Sequence, residues 1–149
     1  MIEQLTRQRA LRFLELLSSR DLEAALACCT DDVDFVANAP IDIMPHMGHR
    51  HGTAEMRQMW ETIYKRYSGI RYEMVEVIVE GDKVAANIRA FFRKRGNDRI
   101  IQFDVAVFYS FRNGRISQIR EIMDTFDLVQ QVLERDVVAV LAETKPHKG

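Results

Sequence analysis

Glu121 is the acidic side chain of this sequence that is best placed to do chemistry. The segment Ile100–Asp124 contains two alternating runs that meet at Asn113-Gly114, a dipeptide typical of tight β-hairpins. In the second run, the period of two places Glu121 on the same face as Ile119 and Met123. Because burial of an isolated charge is costly, a carboxylate on such an apolar face must be paired, protonated or functional.

Arg89, on a strand predicted over Val84–Arg93, is a candidate partner of Glu121 if the two strands lie across the floor of one pocket. A buried Arg–Glu pair would keep the carboxylate ionised by lowering its pKa, and its role would then be structural. If Arg89 instead engages a ligand oxyanion, the desolvated Glu121 has a raised pKa and serves as a general base. Asn38 also has two interpretations, a turn residue before Pro40 or a group that orients water or a carbonyl.

Three histidines, His46, His49 and His51, lie close together in one Pro- and Gly-rich segment. Imidazole is a common metal ligand, but this spacing is not a strong metal signature and lacks the help of a carboxylate. We therefore predict no metal ion and no cofactor. One of the three could line a pocket mouth as an acid–base group, and the alternative is that all are solvated loop residues.

The elements that position these groups are predicted from hydrophobic periodicity and turn residues. Four strands joined by tight turns predict an antiparallel meander, and the order of elements is α+β. The curved sheet would wrap around the N-terminal helices as a cone-shaped barrel, with one more helix at the C-terminus. The predicted elements are helix 2–17, helix 21–29, strand 33–38, a helix from Thr53, strands 72–79, 84–93, 100–111 and 116–123, and a helical stripe over 128–141.

Inward apolar side chains predict a hydrophobic pocket at the cone mouth, suited to a small apolar molecule. The predicted ligand-binding residues are Asn38, Trp60, Tyr64, Phe91, Phe103, Val105, Tyr109, Ile119 and Met123. No predicted helix covers the outer face of the sheet, so its apolar residues favour a homodimer. The residues assigned to this outer face are Ala86, Ile88, Ala90, Phe92, Ala106, Phe108 and Ile122.

Length and composition indicate one domain over residues 1–149, with a core at about 11–133. A chain of 149 residues and 47% hydrophobic content is long enough to bury a sizeable core. The formal charge of −1, with basic and acidic residues interspersed, argues against a nucleic-acid partner. The sequence has no signal peptide and no apolar run of membrane-spanning length, so we expect no membrane partner and a cytoplasmic location.

Three segments of the chain carry a family resemblance: TDDVDFVANAP, the G-x-x-x-G-T-A-E-M entry to the third helix, and FYSFRNGRISQIREIMDTFDL. Together with the order of elements, they make the chain resemble the SnoaL-like group over roughly Leu11–Leu133. That group belongs to the superfamily of nuclear transport factor 2, ketosteroid isomerase, limonene-epoxide hydrolase and the polyketide cyclase SnoaL. The superfamily includes isomerases, cyclases, hydrolases and non-catalytic domains, so the fold alone does not imply one activity.

The resemblance can be followed residue by residue. The acid that acts as catalytic base on the last strand of the cyclases and the epoxide hydrolase matches Glu121, where an Asp is usual. The inward Arg of the hydrolase matches Arg89, but its second acid, which protonates the epoxide, matches Phe91. The two acids of ketosteroid isomerase match positions near Ala37 and Val107, which are apolar. Classical epoxide hydrolysis and ketosteroid isomerisation are therefore disfavoured.

The water-holding Asn-x-Pro segment of the hydrolase matches Asn38-Ala39-Pro40, while its Tyr matches Val36. Three hypotheses follow. The first is an isomerase, cyclase or hydrolase acting on a small apolar carbonyl or cyclic compound, with Glu121 as base and Arg89 as electrostatic stabiliser. The second is a non-catalytic ligand-binding module in which Arg89 locks Glu121. The third is a dimeric scaffold whose pocket is filled by side chains.

Overall fold

A computed structural model of the protein describes residues 2–143, which form a curved sheet with helices on its concave side. Within these residues there are five helices and six strands, and the predicted α+β class is confirmed. The helices are α1 Ile2–Ser18, α2 Leu22–Ala27, α3 Gly52–Arg66, α4 Thr125–Leu133 and α5 Val137–Glu143. The strands are β1 Cys29–Ala37, β2 His49–His51, β3 Tyr67–Glu80, β4 Lys83–Lys94, β5 Ile100–Arg112 and β6 Arg115–Met123.

The sheet is mixed, with the strand order β2-β1-β6-β5-β4-β3. Strands β3 to β6 form the predicted antiparallel meander, whereas β1 pairs in parallel with β6. The short strand β2, which pairs antiparallel with β1, lies in a segment predicted to be an irregular loop. Its three residues are too few to show a period of two, so only pairing with β1 makes them a strand.

The predicted hairpin turn is confirmed, and a helix cap follows β6. Asn113 and Gly114 both have positive φ values, of 53° and 78°, as a type I′ hairpin turn between β5 and β6 requires. Asp124 caps α4, because its carboxylate accepts a hydrogen bond from the backbone N–H of Asp127 at 3.1 Å. The hairpin turn fixes the register of β6 and hence the face on which Glu121 lies.

The core lies between the inner face of the sheet and helices α1, α2 and α3. Helix α1 packs on β3 and β4, and α3 packs on β1 and β3. The buried side of α3 carries Met56, Met59, Trp60 and Ile63, at the spacing of one helical face. Among residues 2–143, no helix is both long enough and apolar enough to cross a lipid bilayer.

The C-terminal stripe forms two helices instead of the single one predicted. Helix α4 ends at Glu134, which adopts a left-handed conformation with φ of 55°. Lys94 donates to the carbonyl oxygens of Gln131 and Val132 at 2.7 and 3.2 Å, and Asn97 binds the Glu134 carboxylate at 2.7 Å. These partners come from the end of β4 and the turn after it, so the break depends on tertiary contacts that the periodicity of the stripe does not contain.

Strand β4 faces the opposite way from the sequence prediction. Ala86, Ile88 and Ala90 are buried on the inner face, and Phe92 packs against the core. Both sides of β4 carry apolar residues, so these residues alone do not fix which side faces inward. The match of Arg89 to the inward Arg of the hydrolase gives the predicted face, and that face is wrong. The polar residues Lys83, Asn87, Arg89 and Arg93 all share one parity, which is the signal that places that side outward.

Candidate functional site

A cavity of about 60 Å³ opens between α3, α4, the loop after β1 and the inner face of the sheet. Its walls are almost wholly apolar, and Glu121 is the one carboxylate among the residues that line it. Six aromatic residues line it: Phe35, Trp60, Tyr67, Tyr72, Phe92 and Phe103. Four methionines also line it: Met44, Met47, Met59 and Met123. Since thioether side chains are unbranched and adaptable, this wall can repack around a small ligand.

A second cavity, of about 20 Å³, lies deeper in the cone, between α1 and the sheet. Five residues line both cavities: Phe35, Trp60, Tyr72, Val105 and Glu121. The carboxylate of Glu121 is therefore at the junction of an outer and an inner chamber, where a molecule entering from the mouth would meet it.

The surroundings of Glu121 are apolar on every neighbouring strand. It pairs with Val107 of β5 and with Ala37 of β1, and both are buried. Its carboxylate has no hydrogen-bond or ion-pair partner among the described residues, and the residue, which is of intermediate exposure, lines both cavities. Burial raises the pKa of Glu121 to about 7, because nothing nearby compensates for the lost hydration of the charged form.

Two tyrosines supply the nearest polar groups. Tyr72 of β3 lines both cavities, and Tyr109 of β5 lines the deeper one. Burial, and secondarily the charge of Glu121, raises the pKa of both phenols, so both are protonated hydrogen-bond donors at neutral pH. Neither hydroxyl has a hydrogen-bond partner among the residues described. The site thus combines one proton acceptor with two unengaged donors.

Arg89 does not belong to this site, and the predicted Arg89–Glu121 pair is wrong. Arg89 lies on the outer face, where its Nε is 3.2 Å from the carboxylate of Asp104, its cross-strand neighbour. Phe91, predicted to bind ligand, is also on the outer face and stacks under the guanidinium of Arg71, which is 3.9 Å from its ring centre. Both errors follow from the reversed face of β4.

Six of the other predicted binding residues line the cavities. Trp60, Phe103, Val105 and Met123 line the outer chamber, and Tyr109 and Ile119 line the inner one. Tyr64 lines neither. Its hydroxyl donates to the carbonyl oxygen of Leu17 at 2.7 Å, and the guanidinium of Arg20 lies 4.7 Å from its ring centre. Tyr64 therefore joins α3 to α1.

Asn38 clasps the end of β6. Its Nδ2 donates to the carbonyl oxygen of Met123 at 3.1 Å, and its Oδ1 accepts from the N–H of Met123 at 3.0 Å. Both ends of the amide are engaged with backbone, so Asn38 is neither a simple turn residue nor a free ligand for water. Because Asn38 and Met123 are 85 residues apart in sequence, no local pattern predicts this contact.

Sequence reasoning missed several residues that line the outer chamber. Tyr72 could have been found, since it alternates with the charged Arg71 and Glu73 and so must face inward. Met44 and Met47 could not, because they lie in an irregular loop where no period applies. Phe92 was assigned to the wrong face together with the rest of β4.

The three histidines do not converge on one point. His49 and His51 lie on β2 and approach one carboxylate oxygen of Asp34 at 2.6 and 3.3 Å. His46 is separate, in the loop near the mouth, where burial and the charges of Arg66 and Arg50 lower its pKa to about 4. Within residues 2–143, no group of three or more His, Cys, Asp or Glu side chains has a geometry that could hold a metal ion.

Comparison with known proteins places this architecture in a family. The sequence profile of the SnoaL-like domain matches residues 10–119, most of the chain. The chain belongs to the SnoaL-like family. This SnoaL-like protein is also similar to a protein from Rhodopseudomonas palustris that carries a provisional isomerase name. The two share 30% identity, with 87% of this chain and 97% of that chain covered and a TM-score of 0.77. The predicted family is therefore confirmed.

More distant solved structures share the fold. TerC, co-crystallised with polyporic acid, is 19% identical over 87% of this chain and 98% of that chain, with a TM-score of 0.77. An LEH-like epoxide hydrolase from Mycobacterium tuberculosis is 17% identical over 95% of this chain and 98% of that chain, with a TM-score of 0.73. No protein of curated function matches the SnoaL-like chain at a significant level.

Proposed function

We propose that this SnoaL-like protein is an enzyme of the isomerase or cyclase type that moves a proton on a small, neutral, apolar carbonyl compound. The observation that carries the proposal is the unpaired carboxylate of Glu121 at the junction of two apolar chambers. A group so costly to bury is expected where a reaction needs it. The related R. palustris protein, with its provisional isomerase name, agrees with this class.

Glu121 is the proposed general base. A carboxylate with a pKa of about 7 is half ionised at neutral pH and is a stronger base than an ordinary glutamate. It would take a proton from the carbon next to the carbonyl. The electron pair of that C–H bond would form the C=C bond of the enolate, while the π pair of the carbonyl moves to its oxygen. Returning the proton to a different atom gives an isomer, whereas attack by the enolate carbon on an internal carbonyl closes a ring, and the proton on Glu121 then goes to the new alkoxide.

Tyr72 is the proposed hydrogen-bond donor to the enolate oxygen. Its buried hydroxyl has no other partner among the described residues, and it shares both chambers with Glu121. A pre-placed neutral donor in a dry site stabilises a developing oxyanion without a cost of reorganisation. This role replaces the electrostatic function that the sequence assigned to Arg89. Epoxide hydrolysis is less well supported, because no second acid faces Glu121 among the residues lining the chambers.

Hydrogen–deuterium exchange at carbon tests the proposal without knowledge of the natural product. 2-Tetralone, a small apolar cyclic ketone, is incubated with protein in D₂O, and loss of its α-proton signals is followed by NMR. We expect the wild type to accelerate exchange and Glu121→Gln to lower that acceleration by at least about 10²-fold, the typical contribution of a general base. Tyr72→Phe should cost about 10²-fold while the protein stays folded, the lower end of what loss of one oxyanion donor costs.

The matched control is Asp104→Asn, which removes a carboxylate from the outer face of the same sheet. It should leave exchange unchanged. The rate constant kcat/KM should rise with pH and level off above about pH 7, since ionised Glu121 is the active form. Equal exchange by Glu121→Gln and wild type would refute the base, and ketone binding without exchange would favour a ligand-binding protein.

We also propose a homodimer formed through the outer face of the sheet. Ile78, Phe108 and Ile122 are 59%, 47% and 57% exposed there, and Ile78, Ala85 and Phe108 lie in one cross-strand row. No described helix covers this side, and a second copy is the simplest partner for it. Analytical ultracentrifugation at micromolar concentration should show a dimer for wild type and a monomer for Phe108→Glu. A monomeric wild type would remove the proposal.

A further inference from the structure

We infer that the mouth of the cone carries an anion-binding groove, and that the ligand is an amphipathic molecule with an apolar body and an anionic end. The inference rests on the proposed function, because the apolar body is taken to occupy the cavity that contains Glu121. The groove, about 390 Å³ in volume, runs between the end of α3, the β4–β5 turn and the end of α4. Its charged residues are all cations: Lys65, Arg66, Lys94 and Arg95.

The groove adjoins the cavity. Tyr67 forms part of the wall of both, and it is buried with its ring 5.2 Å from that of Phe92. On α4, Leu128 lines the cavity and Val132, one turn later on the same helix side, lines the groove. A molecule whose apolar part lies in the outer chamber can therefore extend its other end past Tyr67 into the groove.

Two of the four cations are already engaged. Lys94 donates to carbonyl oxygens at the end of α4 and lies 3.4 Å from Glu134. Arg95 donates to the carbonyl oxygen of Tyr64 at the end of α3 at 3.1 Å. These contacts join the walls of the groove, so Lys94 and Arg95 have a structural role that needs no ligand.

Lys65 and Arg66 make no such structural contacts with their side chains. Both side chains are exposed, and neither has a hydrogen-bond or ion-pair partner among the described residues. Both lie in the last turn of α3, where a cation is favourable near the helix dipole. That interaction leaves their N–H donors available, so they can bind a carboxylate or phosphate in the groove.

The loop on the other side of the mouth adds a neutral donor and acceptor. His46 lies in this loop, close enough to Arg66 for the positive charge to affect its titration. Its Nδ1 is buried without a hydrogen-bond partner, while the adjacent Met47 lines the cavity. Arg66 therefore lies near both the groove and this loop, and Met47 of the loop lines the cavity.

A matched pair of probes tests the inference, 2-naphthoate and its uncharged methyl ester. Trp60, the single tryptophan of the chain, lines both chambers and reports binding by fluorescence, with calorimetry as the second readout. We expect wild type to bind the acid about tenfold more tightly than the ester. Lys65→Gln and Arg66→Gln should each weaken the acid about three- to fivefold, the range of an exposed ion pair, and leave the ester unchanged.

The control variant is Arg71→Gln, which removes one cation from the outer face and so matches the change in net charge. It should alter neither affinity. Glu121→Gln should not lower the acid-to-ester ratio, because it removes a negative charge and leaves the cations of the groove in place, and this separates the inference from the proposed catalytic role. Equal affinity for acid and ester would refute anion binding by the groove and leave the catalytic proposal unaffected. Inorganic phosphate that binds as tightly as naphthoate would overturn the link between groove and cavity.

Discussion

The two faces of one sheet treat charge in opposite ways. On the outer face, Arg89 pairs with Asp104 and Arg71 with Glu73, and all four side chains keep large accessible fractions. On the inner face, Glu121 stands among apolar neighbours with no partner among the described residues. The same sheet thus places Arg89, Asp104, Arg71 and Glu73 where a charge stays hydrated and costs little free energy. It places Glu121 where the loss of hydration makes a charge costly.

This difference separates structural from functional charge. A solvated pair gains little and costs little, because water screens the attraction and hydrates each partner. A buried, unpaired carboxylate lowers stability, and the sequence prediction that Arg89 compensates for it is wrong. Without that partner, the desolvation of Glu121 is a net cost that a role in ligand chemistry would explain.

The largest expected effect comes from removing the inner charge. The folded protein holds a proton on Glu121 up to a pKa of about 7, whereas an ordinary glutamate releases it near 4.5. The unfolded chain therefore binds fewer protons between these values, and the free energy of unfolding falls as pH rises through this window. Glu121→Gln should be more stable than wild type by about 3 kcal/mol at pH 8, and equal to it at pH 4.

Urea unfolding at the two pH values measures this difference. The outer-face variant Asp104→Asn should change stability by less than about 0.5 kcal/mol at either pH, as expected for an exposed group. If Glu121→Gln were less stable than wild type at pH 8, the prediction would be wrong, because the carboxylate of Glu121 would then make a favourable contact in the folded protein.

The second effect concerns Asn38, whose side-chain amide binds the backbone of Met123. Asn38→Ala removes both hydrogen bonds to the backbone of Met123 and leaves its part-buried N–H and C=O without these partners. We expect a loss of about 2 kcal/mol in the free energy of unfolding. Asn87→Ala, at an exposed position on the outer face of β4, should change the free energy of unfolding by less than about 0.5 kcal/mol. Thermal melts of both variants beside wild type measure the two losses. Similar losses of stability in both variants would contradict a stabilising role for the hydrogen bonds between Asn38 and Met123.

A smaller effect is expected from the outer pair itself. A double-mutant cycle of Arg89→Ala and Asp104→Ala should give a coupling free energy below about 1 kcal/mol, and this coupling should shrink in 1 M NaCl. A buried pair would instead show several kcal/mol on loss of one partner. A coupling of that size would mean that the proposed dimer buries this pair together with the row of Ile78, Ala85 and Phe108.

The smallest expected effect is that of metal removal. His49 and His51 share one carboxylate oxygen of Asp34 on the outer side of the sheet edge, and His46 lies apart from them. We expect EDTA to leave both the melting temperature and the ketone exchange rate unchanged. Stoichiometric zinc or iron in purified protein, with a melting temperature lowered by the chelator, would contradict this prediction.

Much of this protein can be predicted from its sequence where short-range rules apply. The Asn113-Gly114 turn and the period of two in β6 place Glu121 on the inner face, because a hairpin turn fixes register within a few residues. The same parity rule gives the outward side of β4 through Lys83 and Asn87, and the error at Arg89 arose when a family resemblance overrode it.

Only the tertiary structure decided what surrounds that carboxylate. Tyr72 is on β3 and Glu121 on β6, at opposite sides of the meander, and they share a chamber because the sheet curves around α1 and α3. The contacts of Asn38 with Met123 and of Lys94 with the end of α4 are likewise non-local. Periodicity reports which face a side chain occupies, whereas its neighbours across a curved sheet depend on how the whole chain packs.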